Sequence, residues 1–268
     1  MPSPTSSSST SAVAQSASLS INSLISAEKW GGGIGSGTTL SYSFPWTTAG
    51  SATFSGHNGQ GNYSTLNEQN ATYHYGLNAT QQTAARSALQ SWANVANVVF
   101  TEVAESSTNV GDIRFAWTSV SNLNSANEQA WGWASYPDSY WPSGGDVWIS
   151  TLSSGKTNSD WSAGSHNFSA LIHELGHALG LKHPFEGGVT LPTAQDTSQY
   201  SVMSYTTSPN SLFVRVTHNA NGSVSWSSYH VEPDTPMLYD VAAIQYLYGA
   251  NLSYRTGDDV YTFDPATP

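Results

Sequence analysis

The stretch His173-Glu174-Leu175-Gly176-His177-Ala178-Leu179-Gly180-Leu181-Lys182-His183 decides how the rest of this chain is read. Two histidines four residues apart on a helix lie about 40° apart around its axis and one turn apart along it, so both rings reach one point. Gly180 suits the left-handed position that ends a helix, and a chain reversing there brings His183 back toward the same point. Three neutral imidazoles suit zinc and leave a fourth position for water or substrate. Glu174, between the two helical histidines, is placed to act as a general base on that water. An amphipathic core helix with incidental histidines explains the segment poorly, because burying Glu174 and two imidazoles without partners is costly.

Outward from this helix, expected over Phe168–Leu179, the pattern alternates between helices and short strands. Ala84, Ala85, Ala88, Leu89 and Trp92 recur at helical spacing and predict a helix over Thr80–Asn94, capped by Thr80 or Asn78. Strands are expected at Leu40–Phe44, Val98–Val103, Asp112–Trp117, Trp131–Tyr136 and Asp146–Ile149. A short helix is expected at Ile21–Ile25, and a last helix starts at Pro236, a favoured first helical residue, and stops at Gly249. Residues 181–235 read as mostly irregular, and Met1–Ser18 as a disordered low-complexity tail or a pro-segment.

Composition narrows the function classes. Lys+Arg 7 against Asp+Glu 18 gives a formal net charge of −11, which argues against nucleic acid or an anionic membrane as partner. The chain contains no cysteine, so thiol catalysis, cysteine-ligated zinc and disulfides are excluded. No apolar run is long enough to span a bilayer, and the first eighteen residues lack the pattern of a general secretory signal peptide. Ten Trp and fourteen Tyr supply large anchors for a core.

His173–His183 followed by Pro184, and then Ser201-Val202-Met203-Ser204-Tyr205, resembles the serralysin group of metzincin proteases. Thr83–Val103, Asp112–Phe115, Gly144–Trp148, Asp196–Tyr205 and Met237–Asn251 are similar to corresponding serralysin segments, so the likeness runs from about Leu19 onward. The resemblance implies an α+β, zincin-like catalytic domain. Its upper lobe would hold a twisted mixed sheet and two long helices; its lower lobe would be mostly irregular with a C-terminal helix. It implies a domain over 19–251 and, from 252 to 268, the start of a link to a repeat domain. It further implies a secreted zinc endopeptidase acting on proteins or peptides as a monomer, with a proteinaceous inhibitor as a candidate partner; a further reading is a latent zymogen with Met1–Ser18 held over the cleft.

Residue by residue, the resemblance makes His173, His177 and His183 zinc ligands and Glu174 the catalytic base. Tyr205 becomes a further ligand of the resting metal that turns to support the tetrahedral intermediate. Met203 sits where the family has a tight turn beneath the metal, and Gly132–Tyr136 where it has an edge strand that pairs with substrate. Asp258-Asp259 falls in a region that contributes to a calcium site in the family, with a solvated acidic turn as the alternative. The glycine-aspartate repeats that follow in full serralysins do not occur here. His57, His74, His166, His218 and His230 have no ligand spacing and are expected to be structural or on the surface. The competing class is a non-catalytic secreted module with a structural zinc or an adhesive role. An intact Glu174 counts against it.

Overall fold

The structure is a computed structural model that describes residues 3–4, 9–47, 63–106, 109–123, 129–139, 142–153 and 159–260. In chain order its elements are β1 (Ser3–Pro4), β2 (Thr10–Ala12), α1 (Leu19–Asn22), β3 (Glu28–Trp30), β4 (Thr38–Ser43), β5 (His74–Gly76), α2 (Ala79–Val95), β6 (Val98–Glu102), β7 (Asn109–Val110), β8 (Ile113–Thr118), β9 (Gly132–Ala134), β10 (Val147–Ser150), α3 (His166–Ala178), β11 (Leu212–His218), β12 (Val224–His230) and α4 (Leu238–Tyr248). The architecture is α+β, as expected from the resemblance.

The main sheet is mixed, with strand order β6-β4-β8-β10-β9 and β5 paired to β8 beside β4. β4, β6, β8 and β10 run parallel, and β9 closes the edge antiparallel to β10, with Trp133 opposite Trp148. The parallel pairing explains why Ile113–Thr118 and Val147–Ser150 are buried throughout rather than alternating. Packed on the sheet are α2 and α3. The Asn78 side chain caps α2 by accepting from Gln81 N–H at 3.0 Å, while the Gln81 side chain accepts from Asn78 N–H, a reciprocal capping box. Trp92 of α2 is fully buried, and its indole N–H donates to the Ile172 carbonyl of α3 at 3.1 Å, tying the two helices together.

Three differences from the sequence reading have physical causes. Within the stretch expected to be disordered, Thr10–Ala12 pairs antiparallel with Glu28–Trp30, and Ser11 Oγ donates to Gly31 O at 2.6 Å; backbone pairing organises a segment whose side chains carry no apolar pattern. Residues 181–235 contain a regular hairpin, β11–β12, in seven-residue register from Leu212↔His230 to His218↔Val224. Its side chains are exposed on both faces, so it lacks the burial contrast that identifies most strands. Finally, α3 starts at His166 behind a Ser165 cap, and α4 starts at Leu238, after Pro236 rather than on it.

Gly180 ends α3 with φ +100°, and the turn is a Schellman motif: Gly180 N–H donates to His177 O at 2.9 Å and Leu181 N–H to Gly176 O at 2.8 Å. A Cβ at Gly180 would stand 2.7 Å from the Glu28 carbonyl oxygen. Gly180→Ala therefore meets both an unfavourable backbone conformation and a backbone clash, and should lower stability by more than about 1 kcal/mol. Thermal denaturation followed by circular dichroism checks this; an unchanged midpoint would contradict the account of the turn.

Candidate active site

Helix α3 presents His173 and His177 from adjacent turns, and the Gly180 turn returns His183 to them. The His183 Nε2 lies 3.2 Å from Nε2 of His173 and 3.0 Å from Nε2 of His177. Among the described residues this is the one cluster of His, Cys, Asp or Glu groups able to share a metal ion, with ligand atoms within 4.8 Å of one another.

The outer ring nitrogens determine what the inner ones are. His173 Nδ1 faces the Val202 carbonyl at 2.8 Å, and His177 Nδ1 faces the Leu181 carbonyl at 2.7 Å. A carbonyl only accepts, so each ring carries its proton on Nδ1 and turns an Nε2 lone pair inward. Glu186 Oε1 lies 2.9 Å from His183 Nδ1, close in distance though not aligned as a hydrogen bond. Burial pushes all three imidazoles toward the neutral form, His173 to a pKa of about 3. With the Nε2 lone pairs of His173 and His177 turned inward and His183 Nε2 at hydrogen-bond distance from both, a shared cation is the arrangement that satisfies all three nitrogens at once. The donor set therefore fits zinc, and its outer-shell carbonyls fix ring orientation as zinc-binding histidines require.

Glu174 is buried on the same helix, and its Oε2 has no hydrogen-bond partner among the described residues. Burial pushes its carboxyl up to about 8, opposed by a hydrogen bond from the Ala134 backbone N–H on β9. Tyr205 stands over the cluster, its ring centroid 5.6 Å from that of His173 and 4.6 Å from that of His183. The residue is 61% exposed, and its hydroxyl makes no protein hydrogen bond among the described residues. Met203 is fully buried beneath α3. A Cβ at Gly176 would collide with the Met203 sulfur, so glycine at that motif position is what allows the methionine to pack there.

Matching the chain against known families and proteins accords with this geometry. The matrixin peptidase family matches residues 59–206, more than half of the chain. This chain belongs to the matrixin family, with serralysin-type relatives. It is 31% identical to a serralysin of Proteus mirabilis over 257 residues, covering 87% of this chain and 44% of that protein. Against serralysin B of Dickeya chrysanthemi it is 34% identical over 243 residues, covering 87% and 43%. A metalloprotease AprA of Pseudomonas entomophila is 36% identical over 192 residues, 69% of this chain and 36% of that protein. The chain thus spans less than half the length of these relatives.

Several residues of this serralysin-type domain that spacing did not single out matter to the site. Asp240, at the third position of α4, is fully buried; its carboxylate accepts from Ser201 Oγ at 2.6 Å, Val202 N–H at 2.7 Å and Met237 N–H at 2.8 Å. Since the Val202 carbonyl holds His173, Asp240 links α4 through the Met203 turn to a metal-facing ring. Burial pushes the Asp240 carboxyl up to about 6 against the pull of those three hydrogen bonds. Phe185 stacks on the His183 ring with centroids 4.9 Å apart, and Tyr136 meets the His177 ring edge-on at 5.5 Å. Of the other histidines, His74 Nδ1 faces Ala71 O and His230 Nδ1 faces Ser211 Oγ, both structural pairings; His166 lines a cavity beside Glu174, and His218 is on the exposed hairpin. His57 lies outside the described residues.

Asp240→Ala removes Oδ2, the acceptor of both the Val202 and the Met237 N–H groups, and leaves buried donors unpaired. It should cost about 1–3 kcal/mol of stability and weaken zinc binding together. Thermal unfolding beside a zinc competition titration checks this; a destabilised variant with unchanged zinc affinity would disconnect Asp240 from the metal cluster.

Proposed function

We propose that this domain is a zinc-dependent endopeptidase that hydrolyses internal peptide bonds of proteins or peptides. One observation carries the reading: Glu174 is a buried carboxylate with a free oxygen, next in sequence to a ring whose Nε2 lone pair faces two others. A purely structural zinc site has no use for such a base. When bound by His173, His177 and His183, zinc would supply the Lewis acidity that polarises a scissile carbonyl and eases deprotonation of an attacking water.

The rest of the work falls to the chain itself. Glu174 takes the proton of the water and passes it to the leaving amine, its low-solvent surroundings keeping it basic enough for both transfers. Tyr205, whose hydroxyl makes no hydrogen bond among the described residues, is the candidate additional ligand and donor to the developing oxyanion. β9 has one edge paired to β10 and the other open, beside Glu174, so an extended substrate can add to it as a further strand. Pairing through the backbone alone would admit many sequences.

An extracellular location, a monomeric state and an inhibitor partner belong to the same proposal by way of the family. Among the described residues no helix is long and apolar enough to cross a membrane. For the pro-segment reading of Met1–Ser18, none of the described residues lining the cavities beside Glu174 comes from that stretch. Calcium at Asp258-Asp259 is not needed for the proposed chemistry; both side chains are exposed, as in a solvated acidic turn.

Two variants test the roles. Glu174→Gln should keep zinc while lowering hydrolysis of casein by roughly 10²–10⁴-fold; a zinc-loaded variant with full activity would sink the mechanism. Tyr205→Phe keeps the ring and removes the hydroxyl. It should lower kcat on a fluorogenic peptide by about 10–100-fold with little change in KM, whereas unchanged turnover would reduce Tyr205 to a packing residue.

A further inference from the structure

Two cavities flank Glu174, and they differ in charge. One, of about 330 Å³, is lined by Trp131, His166, Ala170, Val202 and Thr207, with Glu232 also in its wall. The other, of about 220 Å³, is lined by Leu123, Trp133 and Tyr136 and holds no carboxylate besides Glu174. Ala130, Gly132, Glu174 and Tyr205 border both, so the cavities meet at the catalytic carboxylate and at the open edge of β9. A chain laid along β9 in extended form directs successive side chains to opposite sides. Residues near the scissile bond are thereby offered to one cavity or the other.

Glu232 is the distinguishing group. It is half-buried at the foot of β12, where Val231 N–H donates to Ser211 O and closes the hairpin. It forms no hydrogen bond or ion pair among the described residues. None of the described residues lining its cavity is Lys or Arg, and the chain as a whole carries a net charge of −11. A partly desolvated carboxylate without a counter-charge favours an incoming cation and rejects an anion, which is how charge at a binding surface produces specificity. The apolar walls from Trp131, Ala170 and Val202 suit the methylene stem of a long basic side chain.

We propose that Glu232 is a specificity-determining residue that receives a lysine or arginine side chain of the substrate at one fixed position relative to the cleaved bond, while the second cavity takes an apolar or aromatic residue on the other side. This rests on the endopeptidase reading and adds a substrate class to it. The backbone pairing at β9 remains permissive; the selectivity comes from one carboxylate.

The test uses the zinc-loaded protein on denatured casein, with cleavage sites mapped by mass spectrometry, followed by a pair of quenched fluorescent peptides differing only in lysine or norleucine at the enriched position. The lysine peptide should be cleaved with kcat/KM roughly 5- to 20-fold above the norleucine peptide. In Glu232→Gln, shown to be folded by circular dichroism, the ratio should fall to near one. In Glu232→Lys, a glutamate peptide should become preferred over the lysine peptide. Cleavage of casein with no basic residue enriched at any position overturns the inference and leaves the endopeptidase reading standing, as does a lysine preference that survives in Glu232→Gln. Failure of the zinc-loaded protein to cleave casein or either peptide overturns the endopeptidase reading itself, and the inference with it.

Discussion

Three imidazole Nε2 atoms meet at one point, two of them with their lone pairs turned inward, and that convergence has to be held in place. In this domain the ring orientations are set from outside: Val202 and Leu181 carbonyls hold the far nitrogens of His173 and His177, while Glu186 lies beside that of His183. Each of these groups must arrive from a different stretch of chain. The Leu181 carbonyl is delivered by the Schellman turn at Gly180, and the Val202 carbonyl by the Met203 turn that Asp240 pins to α4. The metal-facing geometry is thus the point at which helix termination, the buried methionine and the C-terminal helix all meet.

The same packing sets the chemistry of the neighbouring carboxylate. Glu174 cannot turn away from the histidines because it lies on their helix, and β9 approaches it closely enough for Ala134 N–H to reach it. Its remaining oxygen has no partner among the described residues and is left to water or substrate. Burial that would be a liability in an ordinary core residue here raises the proton affinity of this carboxyl, which suits a group that takes up a proton and later returns it. The helix is free to sit this low because Gly176 has no side chain to hold off Met203 or Trp92 of α2, both of which lie against that position.

The hairpin at Leu212–His230 shows where pattern reading from sequence loses its grip. Its residues include Val, Thr, Phe and Tyr around an Asn221-Gly222 turn, with Gly222 at φ +80°, all ordinary strand and turn signals. Leu212, Val214, Val216 and Trp226 are nonetheless more than half exposed, so no core side distinguishes one face from the other. Thr10–Ala12 poses the reverse case: small polar residues with no pattern at all become a strand because β3 offers an unpaired edge. Backbone pairing is supplied by the partner strand, and a single segment does not carry that information.

The eleven residues from His173 to His183 determined, by themselves, the clustering of three histidines, the position of Glu174 beside them and the helix end, because helical periodicity and a left-handed glycine fix relative positions over short distances. Spacing likewise located α2, α4 and the parallel strands, whose burial leaves a readable apolar record. The tertiary structure alone decided that Asp240, 67 residues beyond His173 in sequence, supports that ring through the Val202 backbone, and that Glu232 enters the wall of a cavity beside Glu174. An isolated acidic residue in a linear sequence reads the same whether it faces solvent, a hydrogen-bonded turn or a binding cavity. Only the folding of distant segments onto one another separates those environments.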